Sequence, residues 1–529
     1  MTEINLRLYC QGIGDANLIE IARGGGQEPY RILIDCGLHS STSGGTPKLR
    51  SVVANIIERC TPRTGTGKPR LDVIVATHEH WDHISAFANS LDLFKTMDIG
   101  EVWMGWSENP ADPLAAKLDK YKADAAMALA GAALRMGDDP RHAAVAQGID
   151  GILGFNFGAA GEKVRDAREN LKALAPGRVR YLEPGQLAPL PVELGVRAYV
   201  LAPPRDLKML GLTDSKTDSY GVSVDAGWAA AAALLGGFGA ANGTVTAEAD
   251  VTAPFDDTEG EQLSTLIDAA AGRPGDTQFT EFAAFIALHY AGEASADLQP
   301  QLRVMKDQAW RRIDSDWLSM ASDLALQLDS RTNNSSLVLA LELAGSNEVL
   351  LFAADAQIGN WRSWPEVSFN VPVSGDGTTR AVKGADLLAQ TVFYKVGHHG
   401  SSNATRSTGG LEAMTHPGLR AFIPTDVAMA QKVHWGDIPA KELLVRLNTL
   451  THDRVVRSDQ LDGIDADWVA VDPAKLFVEM SFSSPDAVAG AAPAAPAAPV
   501  VKPRGRASGG SRHGATPAPR AGPKRPPSG

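Results

Sequence analysis

Three histidines and an aspartate, His78, His80, Asp82 and His83, fall within six consecutive positions of the stretch IVATHEHWDHISA. The chain has 12 histidines in 529 residues, so a quarter of its imidazoles sit in one hexapeptide. Imidazole nitrogen and carboxylate oxygen are the donors that Zn²⁺ and similar divalent ions favour. In extended backbone His78 and His80 project to the same side. Asp82 and His83 follow as the chain turns, and can address a second position nearby. Four such donors supply parts of two adjacent metal sites.

These side chains must be held by something rigid. The run LDVIVAT directly before them is β-branched and continuous, the pattern of a strand buried on both faces of a sheet, and active groups commonly emerge where such a strand ends. Upstream, INLRLYCQGIGDANLIEIA and YRILIDCG read as strand, turn, strand, and KLRSVVANIIERC has apolar residues at helical spacing. Downstream, ISAFANSLDLF reads as helix and IGEVWMGW as the next strand. Regular α/β sequence resumes at NNSSLVLALEL (strand), EVLLFAADA (strand), ADLLAQ (helix), TVFYKVGHHGS (strand, then a histidine pair), LRAFIPTD (strand) and AKELLVRLNTL (helix). Between the two halves, about 107–177 and 208–329 read as insertions, separated by the strand-like VRYLEP and VRAYVLAPP. Residues 1–484 are expected to form the folded domain. Residues 485–529, rich in Pro, Ala and Gly, cannot bury enough apolar surface to offset their ordering entropy and are expected to be a disordered tail.

The composition, with 44% hydrophobic and 21% charged residues, is that of a soluble globular protein. Three scattered cysteines exclude a disulfide framework, and no C-x-x-C pair supports a thiolate metal site. With no basic-then-apolar leader in MTEINLRLYCQG, and no apolar run of the ~18–20 residues a span needs, the expected location is the cytoplasm, without membrane association. Net charge is −12, but from Ala487 onward there are seven basic residues and no acidic one, which leaves about −19 on residues 1–486. Such a body repels polyanions except where bound cations or basic patches reverse the field.

THEHWDH resembles the H-x-H-x-D-H signature of the metallo-β-lactamase fold superfamily, and other segments answer to it. The resemblance implies an αββα sandwich, here with helical insertions. LIDCG resembles the first motif, which implies that Asp35 sits behind the metals as an orienting group. LLFAADA implies that Asp355 bridges two ions, and YKVGHHGSSNA that His398 or His399 completes the second site. The wording NNSSLVL, LLFAADA and KVGHHGS is most similar to the ComEC-like branch, the hydrolase domain of bacterial competence DNA-uptake proteins. That branch carries a later histidine, which VHWGDIP places at His434, a candidate for substrate contact or leaving-group protonation. The similarity covers roughly 3–105 and 330–450.

One departure stands out. Most superfamily hydrolases have a further histidine before the bridging aspartate, whereas SRTNNSSLVL offers Asn333 and Asn334 but no imidazole. The first metal site is then weak, filled by water, or completed by an Asn or an insertion residue. His142 and His289, the other histidines between the halves, read as ordinary helix-surface or core residues.

The implied function is metal-dependent hydrolysis with one or two Zn²⁺ ions, Mn²⁺ being the rival. Two ions ~3.5–4 Å apart lower the pKa of a shared water, with Asp82 among the catalytic groups. A phosphodiester, with nucleic acid a candidate, is the first substrate class; a small-molecule ester, lactone or thioester is the alternative. A metal-binding scaffold without catalysis is the reading of another class. Asp15 and Asn17 in GIGDAN lie near the site or form a plain Asx turn. Trp361 and Trp364 stack on a substrate at the rim or, more commonly for tryptophan, fill core. Ser401 and Ser402 hydrogen-bond a phosphate or cap a turn.

Overall fold

The apolar runs flanking the histidine cluster pair with one another in the computed structural model, which describes residues 1–39, 41–137, 149, 162–213, 215, 217–219, 285, 320–372, 378–432, 436–464 and 466–485. Strands β1 (Thr2–Tyr9), β2 (Ala16–Ile21), β3 (Tyr30–Cys36), β4 (Arg70–Ala76), β5 (Asp98–Gly105) and β6 (Val179–Leu182) lie side by side in chain order. Strands β7 (Leu187–Ala188), β8 (Val196–Ala202), β9 (Val338–Leu343) and β10 (Glu348–Phe352) start a second sheet. A separate two-stranded sheet, β11 (Ser368–Pro372) and β12 (Thr379–Lys383), follows. Strands β13 (Thr391–Lys395), β14 (Arg420–Ile423) and β15 (Val455–Arg457) then extend the second sheet beyond β10. The chain finally returns to the first sheet, where β17 (Phe477–Ser484) pairs with β1 and β16 (Ala470–Val471) forms the edge.

Each sheet is half antiparallel and half parallel. In the first, β3, β4, β5 and β6 run parallel; in the second, β10, β13, β14 and β15 do. Parallel strands end on one side, so the loops after β3, β4, β10, β13 and β14 converge there. The two sheets meet at that end through a backbone bond, Leu337 N–H donating to Thr77 O at 2.8 Å.

Period-two alternation explains the layers. In β4, Val73 and Val75 face the other sheet and pack with Leu8, Ile34, Leu339, Leu350 and Phe393. Ile74 and Ala76 face the opposite way, against Val52, Val53 and Ile56 of helix α1 (Gly45–Cys60). The outer face of the second sheet is covered in the same manner by Trp361, Trp364, Leu387, Leu443 and Leu447. Helix, sheet, sheet, helix is the resulting order, as the αββα reading expects. Among the described residues no helix is long and apolar enough to cross a membrane.

Several elements differ from the sequence reading. ISAFANSLDLF is not one helix but three short ones, α2 (Trp81–Ile84), α3 (Ala86–Asn89) and α4 (Leu91–Phe94), broken at Ser90, whose φ of −137° leaves the helical region. NNSSLVLALEL begins not as strand but as the end of a helix. The first insertion contributes α5 (Pro113–Gly137) and α6 (Glu162–Leu174), the latter packed on the first sheet through Val164, Ala167 and Leu171. The second, read as about 208–329, overlaps α7 (Leu207–Gly211) and the first part of α8 (Met320–Asn334). The tail expected from 485 onward, His142, His289 and His434 lie outside the described residues, Pro485 excepted.

Candidate metal centre

The hexapeptide leaves β4 at Ala76 and turns at once into α2, which brings Asp82 and His83 back over the strand ends. Close backbone packing allows the turn. Gly37, just past β3, lies against the Asp82–His83 peptide, and a Cβ there would stand 2.2 Å from the Asp82 carbonyl carbon and 2.4 Å from His83 N. No rotamer relieves a clash between backbone atoms. Gly37→Ala is therefore expected to push the loop outward, with about 1–3 kcal/mol of destabilisation and weakened metal binding. Urea denaturation and metal content test this, and an unchanged variant would show that the contact is dispensable.

Asp35 supports the loop from behind. Its two carboxylate oxygens accept from Thr77 N and Thr77 Oγ1 at 2.8 and 2.7 Å, and Oδ2 lies 2.8 Å from His83 Nδ1. That contact fixes which nitrogen of His83 faces forward. Asp35 is fully buried, and burial raises its carboxyl pKa against the pull of His83.

The forward groups converge from both sheets. Asp82, His83, Asp355 and His399 each present a donor atom, all four within 4.8 Å of one another, and all four residues are buried. His83 Nε2 is 3.1 Å from Asp355 Oδ2, and His399 Nε2 is 2.9 Å from Asp82 Oδ2. Asp82 Oδ1 and His78 Nε2 are buried with no hydrogen-bond partner among the described residues. Buried polar atoms without partners are rare in native proteins and ask for a missing ligand. His78 and His80 stand beside the four-residue group, their ring centroids 4.7 Å apart, with His78 4.2 Å from His83.

Of the histidine pair, His399 enters the cluster. His398 turns aside, with Nδ1 2.9 Å from Ser401 Oγ, while its backbone N–H donates to Asp355 Oδ1 at 3.0 Å. Ala354, His398 and His399 all have positive φ, at 49°, 42° and 56°, as has Asp35 at 58°. Each such residue costs roughly 1–3 kcal/mol, strain that persists only where surrounding contacts impose it.

The electrostatics are those of a compact charge cluster. Burial pushes the carboxyls of Asp82 and Asp355 up, but His83 and His399 outweigh it and hold both below the ordinary carboxylate range. Burial pushes His83 down, yet Asp355, Asp82, Asp35 and Asp15 raise it well above its usual value. His80 is lowered to about 4, chiefly by burial, and so presents a neutral imidazole, the form that ligates metal.

Asp35, His78, His80, Asp82 and His83 lie within a segment of known type. Residues 16–101 match the family model of the Metallo-beta-lactamase superfamily. The span runs from β2 into β5 and takes in both LIDCG and THEHWDH. Together with the helix, sheet, sheet, helix layering it gives the chain the metallo-β-lactamase fold. No curated protein sequence matches the chain.

Lys395, His39 and Glu79, at or beside this centre, were not among the sequence candidates, whereas Asp15 was. Lys395, the last residue of β13, is 1% exposed and ion-paired with Asp15, with Nζ 3.9 Å from Asp355 Oδ1. Asp15 thus belongs to the site, 3.8 Å from His83 Nδ1, while Asn17 donates to Ile34 O in the sheet. His39, just after LIDCG, is buried and lowered to about 4 by burial, with Asp82 and His399 close enough to act on it. Glu79, between His78 and His80, reaches away to Lys122 and Arg168 of α5 and α6 at 2.8 and 2.9 Å. Only the lysine of YKVGHH and the histidine of LIDCGLH could have hinted at Lys395 and His39.

Other candidates do not reach the centre. Trp361 and Trp364 are fully buried, their ring centroids 3.8 Å apart, with Nε1 of Trp361 donating to Ala356 O and Ala404 O and that of Trp364 to Asn360 Oδ1. They are core, not a stacking rim. Asn334 is used structurally. Its amide donates to three carbonyls, of Met209, Leu210 and Leu212, and its oxygen accepts from Asn360 N.

Proposed function

We propose that the protein is a metal-dependent hydrolase acting on a phosphodiester. The observation that carries the metal step is the four buried donors of Asp82, His83, Asp355 and His399, collected from both sheets within 4.8 Å. The donor set fits a divalent cation: imidazoles and carboxylates, partnerless buried atoms at His78 and Asp82, and outer groups that orient the inner ones. Asp82, His83, Asp355 and His399 would hold one ion, Zn²⁺ or Mn²⁺; His78 and His80 would face a second, with Asp355 between. Bound there, the ions would supply Lewis acidity and an activated water near neutral pH.

The chain's own residues do the rest. Asp35 fixes the tautomer and angle of His83; Pro424 O, 2.8 Å from His399 Nδ1, does the same for His399. Lys395 and Asp15 balance charge behind Asp355, which stays ionised and acts as acceptor only. Phosphodiester is preferred to acyl substrate on the similarity of NNSSLVL, LLFAADA and KVGHHGS to the ComEC-like branch, with His434 the proposed donor of a proton to the leaving group.

The expected result is cleavage of bis(p-nitrophenyl) phosphate, and nicking of DNA, by purified protein supplied with Mn²⁺ or Zn²⁺, at rates abolished by chelator. Turnover of acyl esters or thioesters with no phosphodiester cleavage would move the substrate to the acyl class. Bound metal with no hydrolysis of either kind would make the protein a scaffold.

A further inference from the structure

His78 and His80 stand side by side next to the four-residue group, and SRTNNSSLVL, which leads into β9, offers no third imidazole. The fold brings another donor to that place. Helix α8 descends from the second insertion onto the site, and its last turns carry Asp329 and Asn333. Asp329 Oδ1 lies 3.8 Å from His80 Nε2, with the Asp329 side chain 16% exposed and that of His80 2%. This is longer than a direct hydrogen bond. It is within a few tenths of an ångström of the roughly 3.4 Å that separates two donors ~2.1 Å from a shared tetrahedral ion.

A second observation points the same way. His78 Nε2, in the ring next to His80, is buried with no hydrogen-bond partner among the described residues, and so is Asn333, both amide atoms included. Asn333 is four residues after Asp329, on the same helix face, and fully buried. The partnerless His78 ring lies 4.7 Å, centroid to centroid, from the His80 ring that Asp329 approaches. Burying an unsatisfied polar atom costs about 1–3 kcal/mol, which a bound cation would offset at His78 Nε2.

We propose that Asp329 is a ligand of the first metal ion, completing with His78, His80 and the shared Asp355 a two-histidine, two-carboxylate site. The assignment rests on the metal-dependent reading above. It also changes the site's chemistry. A carboxylate in place of an imidazole adds a negative charge and a harder donor, which shifts preference toward Mn²⁺ over Zn²⁺ relative to an all-histidine site. Helix α8 is tied to the first insertion, Arg331 Nη1 donating to Tyr121 Oη of α5 at 2.9 Å, so both insertions brace the ligand.

The test counts metal rather than turnover. Full-length protein, stripped with chelator, is titrated with Mn²⁺ and with Zn²⁺ by calorimetry, and bound ions are counted by mass spectrometry. Wild type is expected to bind two ions. Asp329→Asn, which keeps size and removes the charge, is expected to lose the first ion, by more than the roughly 10–100-fold that loss of an outer-shell partner costs. Asp329→His is expected to restore two ions and tilt the preference toward Zn²⁺. Thermal melts of the stripped proteins should coincide, with the metal-induced rise smaller in Asp329→Asn alone. Wild type without bound metal overturns the hydrolase reading itself. Two ions at unchanged affinity in Asp329→Asn, or no recovery in Asp329→His, overturns only the role of Asp329.

Discussion

Asp355→Asn is expected to strip the protein of its ions and to slow hydrolysis by roughly 10³-fold or more, about 4 kcal/mol of barrier. The reason lies in how many groups converge on this carboxylate. One oxygen faces His83 Nε2 at 3.1 Å; the other accepts from His398 N at 3.0 Å and stands 3.9 Å from Lys395 Nζ. It is 1% exposed, on a loop whose preceding residue, Ala354, has positive φ. An amide of equal size keeps the packing and removes the shared negative charge, so loss of metal here is electrostatic rather than a consequence of unfolding. Metal analysis beside steady-state rates checks it, and retained metal with retained activity would remove Asp355 from the site.

The same charge cluster sets a pH dependence. Burial lowers His83, but four carboxylates raise it above 6.5, so in metal-free protein a proton occupies the position a cation would take. A raised folded-state value means that this proton stabilises metal-free protein fully below the unfolded value near 6.5, and less as pH rises through the higher folded value. The ion replaces the proton. Affinity of wild type for metal therefore rises with pH across that window, and Asp355→Asn flattens the rise.

What could be read from sequence was what chain proximity places together. THEHWDH is legible because its four donors are neighbours along the chain and a buried strand precedes them. Asp355 and His399 were legible as short motifs at strand ends, although spacing did not tell His398 from His399; the left-handed turn that swings only His399 inward is a tertiary outcome. Lys395 could not be read, since a lysine at the end of TVFYK becomes a site residue only when Asp15, from the opposite sheet, pairs with it. Asp329 was hidden for a different reason: it sits in a weakly patterned helix, and nothing in the local sequence fixes which way α8 points. Strand β17 escaped because its register is set by β1, 468 to 482 positions away. Glu79, inside the hexapeptide, was given no role from sequence, because its partners Lys122 and Arg168 lie 43 and 89 positions further on.

Glu79→Gln is expected to destabilise the protein by roughly 3–5 kcal/mol, a large share of the ~5–15 kcal/mol that a domain has. Glu79 is 7% exposed between His78 and His80, and its carboxylate bonds Lys122 Nζ at 2.8 Å and Arg168 Nη1 at 2.9 Å. Arg168 also reaches Glu108 and Asp119, at 3.1 and 3.0 Å, and Lys122 stands 3.6 Å from Glu108. Neutralising Glu79 leaves two cations, whose side chains are only 14% and 11% exposed, sharing what remains of the network. Because Glu79 is one of the points at which α5 and α6 hold the loop, the variant should also bind metal less tightly at His78 and His80. Burial raises the Glu79 carboxyl, but Lys122 and Arg168 outweigh it and bring it to about 2, from an ordinary 4.5. A depressed folded-state value gives stability that is complete above 4.5 and lost as pH falls toward 2. The gap in unfolding free energy between wild type and Glu79→Gln should therefore be widest at pH 6–8 and close on acidification. Urea denaturation at pH 7 and near pH 3 measures both, and a gap that stayed constant would mean that Glu79 stabilises the loop by shape and not by charge.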